Sequence, residues 1–317
     1  MPTAPALAER LVLAPEVEAA IRDNRPVVAL ESTLISHGLP HPANLQVARR
    51  SEAAVREAGA VPATVAIRGG RVLVGLTDGD LEALATAPPG SVRKAARPSL
   101  AAALADPGWA ATTVSATMIA AHAAGILVFA TGGIGGVHRG ALAGAGTTDP
   151  TLDISSDLEE LARTPMAVVC AGPKAILDVA ATIEYLETRG VPVVAIGQAD
   201  VPGFFTRSSG VRAPLSAPNV DAAAEIARVH LELGLGTAIL LTVPVPATDA
   251  LSPEVARDAV EAAVREASSR GVQGPALTPW LLGRIAELTA GVSVAANTAL
   301  IVNDARVAGR LAVRLAG

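Results

Sequence analysis

Short apolar runs alternate along this chain with longer Ala-rich stretches of helical period. VVAL (27–30), AVVCA (167–171), VPVVAI (191–196) and TAILLTV (237–243) are apolar at nearly every position. Such runs suit strands of a parallel sheet buried on both faces. ATVAI and RVLVGL flank Arg68-Gly69-Gly70 and predict a hairpin. Helices are predicted after Pro15, closed by Arg25-Pro26, and over 43–58, which Gly59 stops. Further helices are expected over 78–86, 99–105, 117–124, 156–164, 174–189, 221–233, 253–270, 278–289 and about 293–315. The order predicts an α/β fold: one mainly parallel central sheet with helices on both faces, in α/β/α layers. With no low-complexity linker and no repeat of fixed period, residues 1–317 read as a single domain.

From Pro107 to His138 there is no Asp, Glu, Lys or Arg, a run long enough to raise the question of a membrane span. Glycines at 125, 132, 133, 135 and 136, with Thr112, Thr113, Ser115 and Thr117, divide it into strand, helix, strand and loop, so no membrane association is expected. Glu9, Arg10, Glu16 and Glu18 interrupt any signal-peptide core. The net charge of −5 and the 2% aromatic content leave no basic or stacking surface for nucleic acid. Cys170 is the single cysteine, which excludes an internal disulfide and fits a reducing cytoplasm. Its plain reading is a small buried hydrophobe.

Three strand-like runs end on polar groups: VVAL on Glu31, ILVFA (126–130) on a Gly-rich turn leading to His138, and AVVCA on Lys174. A lysine following a buried strand is partly dehydrated, which favours the neutral, nucleophilic amine. Its plain alternative is a lysine that reaches solvent. At a predicted helix start, however, a cation opposes the dipole. Glu31 among apolar neighbours suits a general acid, or else a cap or surface carboxylate. Arg93, Lys94 and Arg97 suit a phosphate or a solvated basic loop. His37 and His41, in the loop that follows Glu31, suit substrate contacts or plain exposure, and are expected to be exposed or structural. ATTVSATM offers backbone N–H groups at a helix start, suited to an anion or to simple capping. TGGIGGVHRG fails the dinucleotide fingerprint, because His138 stands where the third glycine is required. In TLDISSDLEEL, Ser156 and Glu159 predict a capping box, leaving Asp153 and Asp157 free. One carboxylate plus waters suits Mg²⁺ or Mn²⁺, and no His–Cys pattern has zinc spacing.

Read together, ALESTLISHGLPHPAN, the VRK segment, TTVSATM, TGGIGGVHRGA, DISSDL, VVCAGPKAILD, FTRSSG and NTALIVNDARVA resemble, in order, the motifs of pseudouridine-5′-phosphate glycosidases, from about residue 12 to the C-terminus. The resemblance implies reversible cleavage of the C–C glycosidic bond of pseudouridine 5′-phosphate to uracil and ribose 5-phosphate. It also implies Mn²⁺ (with Mg²⁺ as the alternative ion), a homotrimer and a cytoplasmic enzyme acting on a small sugar phosphate and base. It casts Glu31 as proton donor, Lys174 as the nucleophile holding ribose C1′ as an imine, and Asp153 as metal ligand. Lys94, the Val114 backbone and Ser155, Ser156 and Asp157 become substrate and phosphate contacts, and Thr131, His138 and Asn297 line the pocket. Four segments depart from the family pattern: Pro173 before the lysine, AARPSL after VRK, the longer LAGAGTTDPTL, and ADVPGF at 199–204. The first and third bear on the aglycone side. They keep open a C-ribosyl synthase working in the bond-forming direction on a base or aromatic acceptor. A catalytically silent sugar-phosphate binding protein is the third reading.

Overall fold

The runs VVAL, AVVC, VVAI and ILLT are buried at every position, as strands covered on both faces must be. In the computed structural model, which describes residues 5–142, 151–272 and 277–317, they form the middle of one large sheet. In chain order the strands are β1 (Leu11–Leu13), β2 (Val27–Leu30), β3 (Val61–Arg68), β4 (Arg71–Val74), β5 (Arg93–Ala95), β6 (Trp109–Thr112), β7 (Val128–Ala130), β8 (Val137–His138), β9 (Ala167–Cys170), β10 (Leu177–Asp178), β11 (Val193–Ile196), β12 (Leu215–Ala217) and β13 (Ile239–Thr242). The sheet order is β1-β4-β3-β2-β7-β9-β13-β11-β12. From β3 at 61–64 through to β12 every pairing is parallel. The second half of β3 leaves this register and pairs antiparallel with β4 and β6, forming the expected hairpin about Gly69-Gly70. β8 and β10 make a separate antiparallel ribbon.

The helices are α1 (Pro5–Ala8), α2 (Pro15–Arg22), α3 (Ala43–Glu57), α4 (Asp78–Ala85), α5 (Leu100–Ala105), α6 (Val114–Ala123), α7 (Ser156–Leu161), α8 (Val179–Thr188), α9 (Val220–Glu232), α10 (Pro253–Ser269), α11 (Leu277–Leu288) and α12 (Val292–Ala316). Successive strand residues point to opposite faces, and the cores follow that alternation. Ala29, Phe129, Val168 and Leu240 pack with α2, α6, α7 and α8 on one face. Val28, Val128, Val169 and Leu241 pack with α3, α9 and α12 on the other. The three layers are therefore α/β/α. No helix among the described residues is long and apolar enough to cross a membrane. The charge-free run is β6, α6 and β7, all inside this core.

Local departures from the sequence reading have physical causes. The helix expected over 174–189 starts only at Val179, where the Asp178 side chain caps it by accepting from the Ala181 N–H at 3.0 Å. Residues 177–178 are instead drawn into the ribbon with β8. Lys174 thus stands in a turn and opposes no helix dipole. The basic segment expected as a loop contains β5, because Lys94 pairs with Ala111 of β6. α6 begins at Val114 rather than 117.

Asp304 on α12 is fully buried, and neither carboxyl oxygen has a hydrogen-bond partner among the described residues. Burial pushes its pKa well above the usual carboxylate range. The folded state therefore holds a proton that the unfolded chain releases above about pH 4, so this group withdraws stability as pH rises from there. Asp304→Asn should raise Tm near pH 7, with the gain shrinking toward pH 4. A change of about 1 kcal/mol would correspond to roughly 2 °C in a chain of this size. Thermal melts across that range test this, and a gain independent of pH would contradict it.

Candidate active site

β2 pairs with β3 on one side and β7 on the other, so the chain departs from β2 in both directions along the sheet. Beyond the carboxyl ends of strands at such a reversal, a crevice opens. Here it is a cleft of about 950 Å³ counting its open mouth. Of the expected residues, Glu31, Lys94, Thr131, Lys174 and Asn297 line it. Although 143 positions separate Glu31 from Lys174 in the chain, β2, β7 and β9 lie side by side and deliver Glu31, Thr131 and Lys174 to one place.

Glu31 follows β2 directly, and its carboxyl is closely packed by protein even though the residue keeps some exposure to the cleft. Burial raises its pKa. The positive charge of Lys174 and the hydroxyl of Thr131, which donates to Glu31 Oε1, act in the opposite direction. The net result is a pKa above that of an ordinary glutamic acid. Lys174 is half-buried. Gly172, at φ 86°, turns the chain out of β9, and the Lys174 N–H donates to the Ile134 carbonyl at 3.1 Å. The Lys174 carbonyl accepts from the Leu177 N–H at 3.0 Å. The turn is thus fixed on both sides, to the Gly-rich loop and to β10. Lys94 and Lys174 are the only two lysines in the chain, and both face this cleft. Lys94 is exposed at its mouth; partial withdrawal from water and then the charge of Lys174 lower its pKa. The other two cations of that segment are committed elsewhere, Arg93 to Asp106 and Arg97 to the buried Glu160.

A second group adjoins this cleft without lining it. His138 pairs with Leu177 across the ribbon, and its Nδ1 lies 3.9 Å from Asp153 Oδ2. Burial lowers the His138 pKa, Asp153 opposes this, and Lys174 adds to it. Lys174 thereby influences both Glu31 and His138. Ser155, not Ser156, caps α7: its hydroxyl accepts from the Asp157 N–H at 3.2 Å. The expected Ser156–Glu159 capping box does not form, because Glu159 is taken by Tyr185, Arg163 and Arg189. Ser156 Oγ lies 3.4 Å from Ser115 Oγ. Nor is Asp157 free. It is buried, accepting the Ser115 N–H at 3.1 Å and the Gly135 N–H at 3.0 Å. Its side chain ties the start of α6, beside Val114, to the Gly-rich loop. A carboxylate so engaged would repel a phosphate rather than bind one.

Of the two expected places for His37, exposed or structural, it is not exposed: it is half-buried, lines the cleft, and shares a 2.7 Å hydrogen bond through Nδ1 with Ser36 Oγ. His41 is exposed as expected. Thr278 and Leu282 also line the cleft, although nothing in their local sequence marked them, and the buried Phe204, at the end of the altered ADVPGF segment, backs it. Most of LAGAGTTDPTL lies outside the described residues.

No group of three or more His, Cys, Asp or Glu side chains that could hold a divalent metal occurs among the described residues. Asp153, an exposed carboxylate with 46% of its side chain in solvent, fits an ion that keeps most of its water, as Mn²⁺ and Mg²⁺ do, and does not fit a closed zinc site.

Residues 16–314 match the family of indigoidine synthase A-like proteins. A protein of Paracoccus denitrificans named pseudouridine-5′-phosphate glycosidase is 52% identical over 306 residues, covering 96% of this chain and 98% of that protein. One of Caldanaerobacter subterraneus with the same name is 50% identical over 303 residues, covering 96% of this chain and 96% of that protein. Among solved structures, the prealnumycin C-glycosynthase AlnA in complex with ribulose 5-phosphate superposes with a TM-score of 0.86 at 38% identity, covering 96% of this chain and 97% of that one. An indigoidine synthase A-like protein of Thermotoga maritima gives 0.84 at 32% identity, covering 97% of each chain.

Proposed function

The chain belongs to the indigoidine synthase A-like family together with these pseudouridine-5′-phosphate glycosidases, and from that premise we propose that it is an enzyme that reversibly cleaves the C–C glycosidic bond of pseudouridine 5′-phosphate to uracil and ribose 5-phosphate through an imine on Lys174. The observation that carries this reading is the convergence, at the ends of adjacent parallel strands, of an acid whose pKa is raised by burial and a half-buried lysine.

An ordinary glycosidase protonates a leaving oxygen, but a C-glycoside offers none at the bond to be broken. In this proposal Glu31 gives its proton to the ring oxygen O4′ as the C1′–O4′ bond opens, and Lys174 Nζ bonds to C1′. The C1′–C5 bond then breaks with its electron pair going to the base carbon, which takes a proton. C1′ is left as the iminium of Lys174. Water adds to C1′ and releases ribose 5-phosphate and the amine. Covalent capture divides one difficult step into easier ones. Thr131 orients Glu31 through its hydrogen bond. Lys94, the Val114 backbone and Ser155 and Ser156 at the start of α7 would take the phosphate, with the Asp157 side chain tying these segments to the Gly-rich loop behind them, and His138 and Asn297 would border the sugar and base.

Asp153, with His138 beside it, would hold Mn²⁺ or Mg²⁺, which when bound supplies positive charge next to the phosphate. Asp153→Ala should abolish saturable Mn²⁺ binding, followed by the EPR signal of the free ion; unchanged binding would remove Asp153 from the site. The same proposal has the protein acting in the cytoplasm as a homotrimer.

Uracil release from pseudouridine 5′-phosphate with Mn²⁺ is the direct assay. The likeness to a C-glycosynthase favours one alternative, synthesis of a C-glycoside from ribose 5-phosphate and another acceptor. No uracil release, with a ribose 5-phosphate adduct still forming on Lys174, would favour that alternative. Ligand binding without any adduct would favour the silent binding protein.

A further inference from the structure

A buried carboxylate is ordinarily paired with a cation. Asp157, 6% exposed, is held instead by two backbone N–H groups from two other segments. Oδ1 accepts from Ser115 at the start of α6, and Oδ2 accepts from Gly135 in the Gly-rich loop. An ionised carboxylate can accept at both oxygens, and such charge-assisted bonds are the stronger kind. The approach at Gly135 leaves no room for a side chain. A Cβ there would lie 2.8 Å from Asp157 Oδ2 and closer still to Ser155 Oγ, so glycine is what lets the loop meet the carboxylate.

The loop so held is the one that carries the lysine turn. Ile134, the neighbour of Gly135, bridges to Pro173. Its N–H donates to the Gly172 carbonyl at 3.2 Å, and its carbonyl accepts from the Lys174 N–H at 3.1 Å. Pro173 between them has no N–H to give, so Ile134 fastens the turn on either side of it. A short path therefore joins the buried carboxylate to the backbone of Lys174: Asp157 to Gly135, along the chain to Ile134, and across to the turn. Asp157 itself stands behind the cleft. Its charge still reaches the groups there, opposing ionisation of Glu31 and favouring the charged form of Lys94.

We propose that Asp157 is a positioning residue for the nucleophile: through Gly135 and Ile134 it sets where the Lys174 amine stands, and it is not a contact to the sugar phosphate. This rests on the reading that Lys174 captures the sugar. The experiment is to compare wild type with Asp157→Asn and Gly135→Ala in the trapping of ribose 5-phosphate on Lys174, with borohydride in excess so that imine formation sets the rate. Two quantities are read: the rate constant at saturating sugar phosphate, and the concentration that gives half of it. Asp157→Asn keeps one acceptor oxygen and turns an amide NH2 toward the other backbone donor. Gly135→Ala keeps the carboxylate's charge and forces the loop off it, so it separates position from charge and serves if the asparagine variant does not fold. In both variants the rate constant should fall about 10- to 100-fold, the scale for misplacing a reacting group by about 1 Å. In Asp157→Asn the half-saturating concentration should not rise. A half-saturating concentration that rises in that variant while the rate constant holds would overturn the proposal, since Asp157 would then be a substrate contact. A rate constant within about twofold of wild type in Gly135→Ala, far short of the cost of misplacement, would also overturn it, leaving only an effect of charge. Failure of wild type to trap the sugar would instead condemn the imine reading on which the proposal stands.

Discussion

Lys174→Ala is expected to lower uracil release by on the order of 10⁴-fold or more, the scale seen when a covalent nucleophile is removed. Its fold should survive. Lys174 is half-buried and its side chain makes no hydrogen bond among the described residues, while the turn is held by backbone bonds to Ile134 and Leu177 that alanine keeps. Tm should therefore shift by no more than about 2 °C. Binding of ribose 5-phosphate should weaken only moderately, because Lys94 and the α6 and α7 starts are untouched. Steady-state assays beside a thermal melt separate these effects. Substantial residual turnover in a folded variant would contradict the nucleophile assignment.

Glu31→Gln is expected to cost about 10²–10⁴-fold, the usual worth of a positioned general acid. It should also change the shape of the pH profile. Burial raises the pKa of Glu31, so the acid stays protonated to higher pH than an ordinary glutamic acid. Activity requiring that proton is full below the raised pKa and declines as pH rises through it. The glutamine variant has no such titration, so its residual activity should lack this decline. Thr131→Val removes a hydrogen bond that stabilises the carboxylate, and should move the decline to higher pH. A decline that persists unchanged in Glu31→Gln would assign it to another group.

Much of this was legible in the chain because burial leaves a strong mark. VVAL and AVVC are apolar throughout since both faces of a parallel strand are covered, and the polar residues after them are legible as strand-end groups. What no local pattern shows is which strands are neighbours. That β2, β7 and β9 adjoin is a property of the sheet order, yet it is what joins Glu31, Thr131 and Lys174. The start of α8 leaves no local signal because two residues before it, 177–178, pair with β8, a contact too short to leave a period. Asp157 looked available because its partners are backbone N–H groups at 115 and 135, which carry no sequence signal. Ser155 displaced Ser156 as the cap because Glu159 is drawn away by Tyr185, Arg163 and Arg189. His37 reaches the cleft through the turn after β2, and the buried Phe204, at φ 65°, backs it, where tertiary packing, not propensity, sets direction. The altered ADVPGF segment marked the neighbourhood of Phe204 without giving its role.

The most direct measurement is peptide mass analysis after incubating the intact protein with ribose 5-phosphate and borohydride. With two lysines in the chain, both at the cleft, the outcome is sharply divided. The account predicts a reduced sugar adduct on the peptide carrying Lys174 and none on that carrying Lys94. An adduct confined to Lys94, or no adduct under conditions where the sugar phosphate binds, would contradict it.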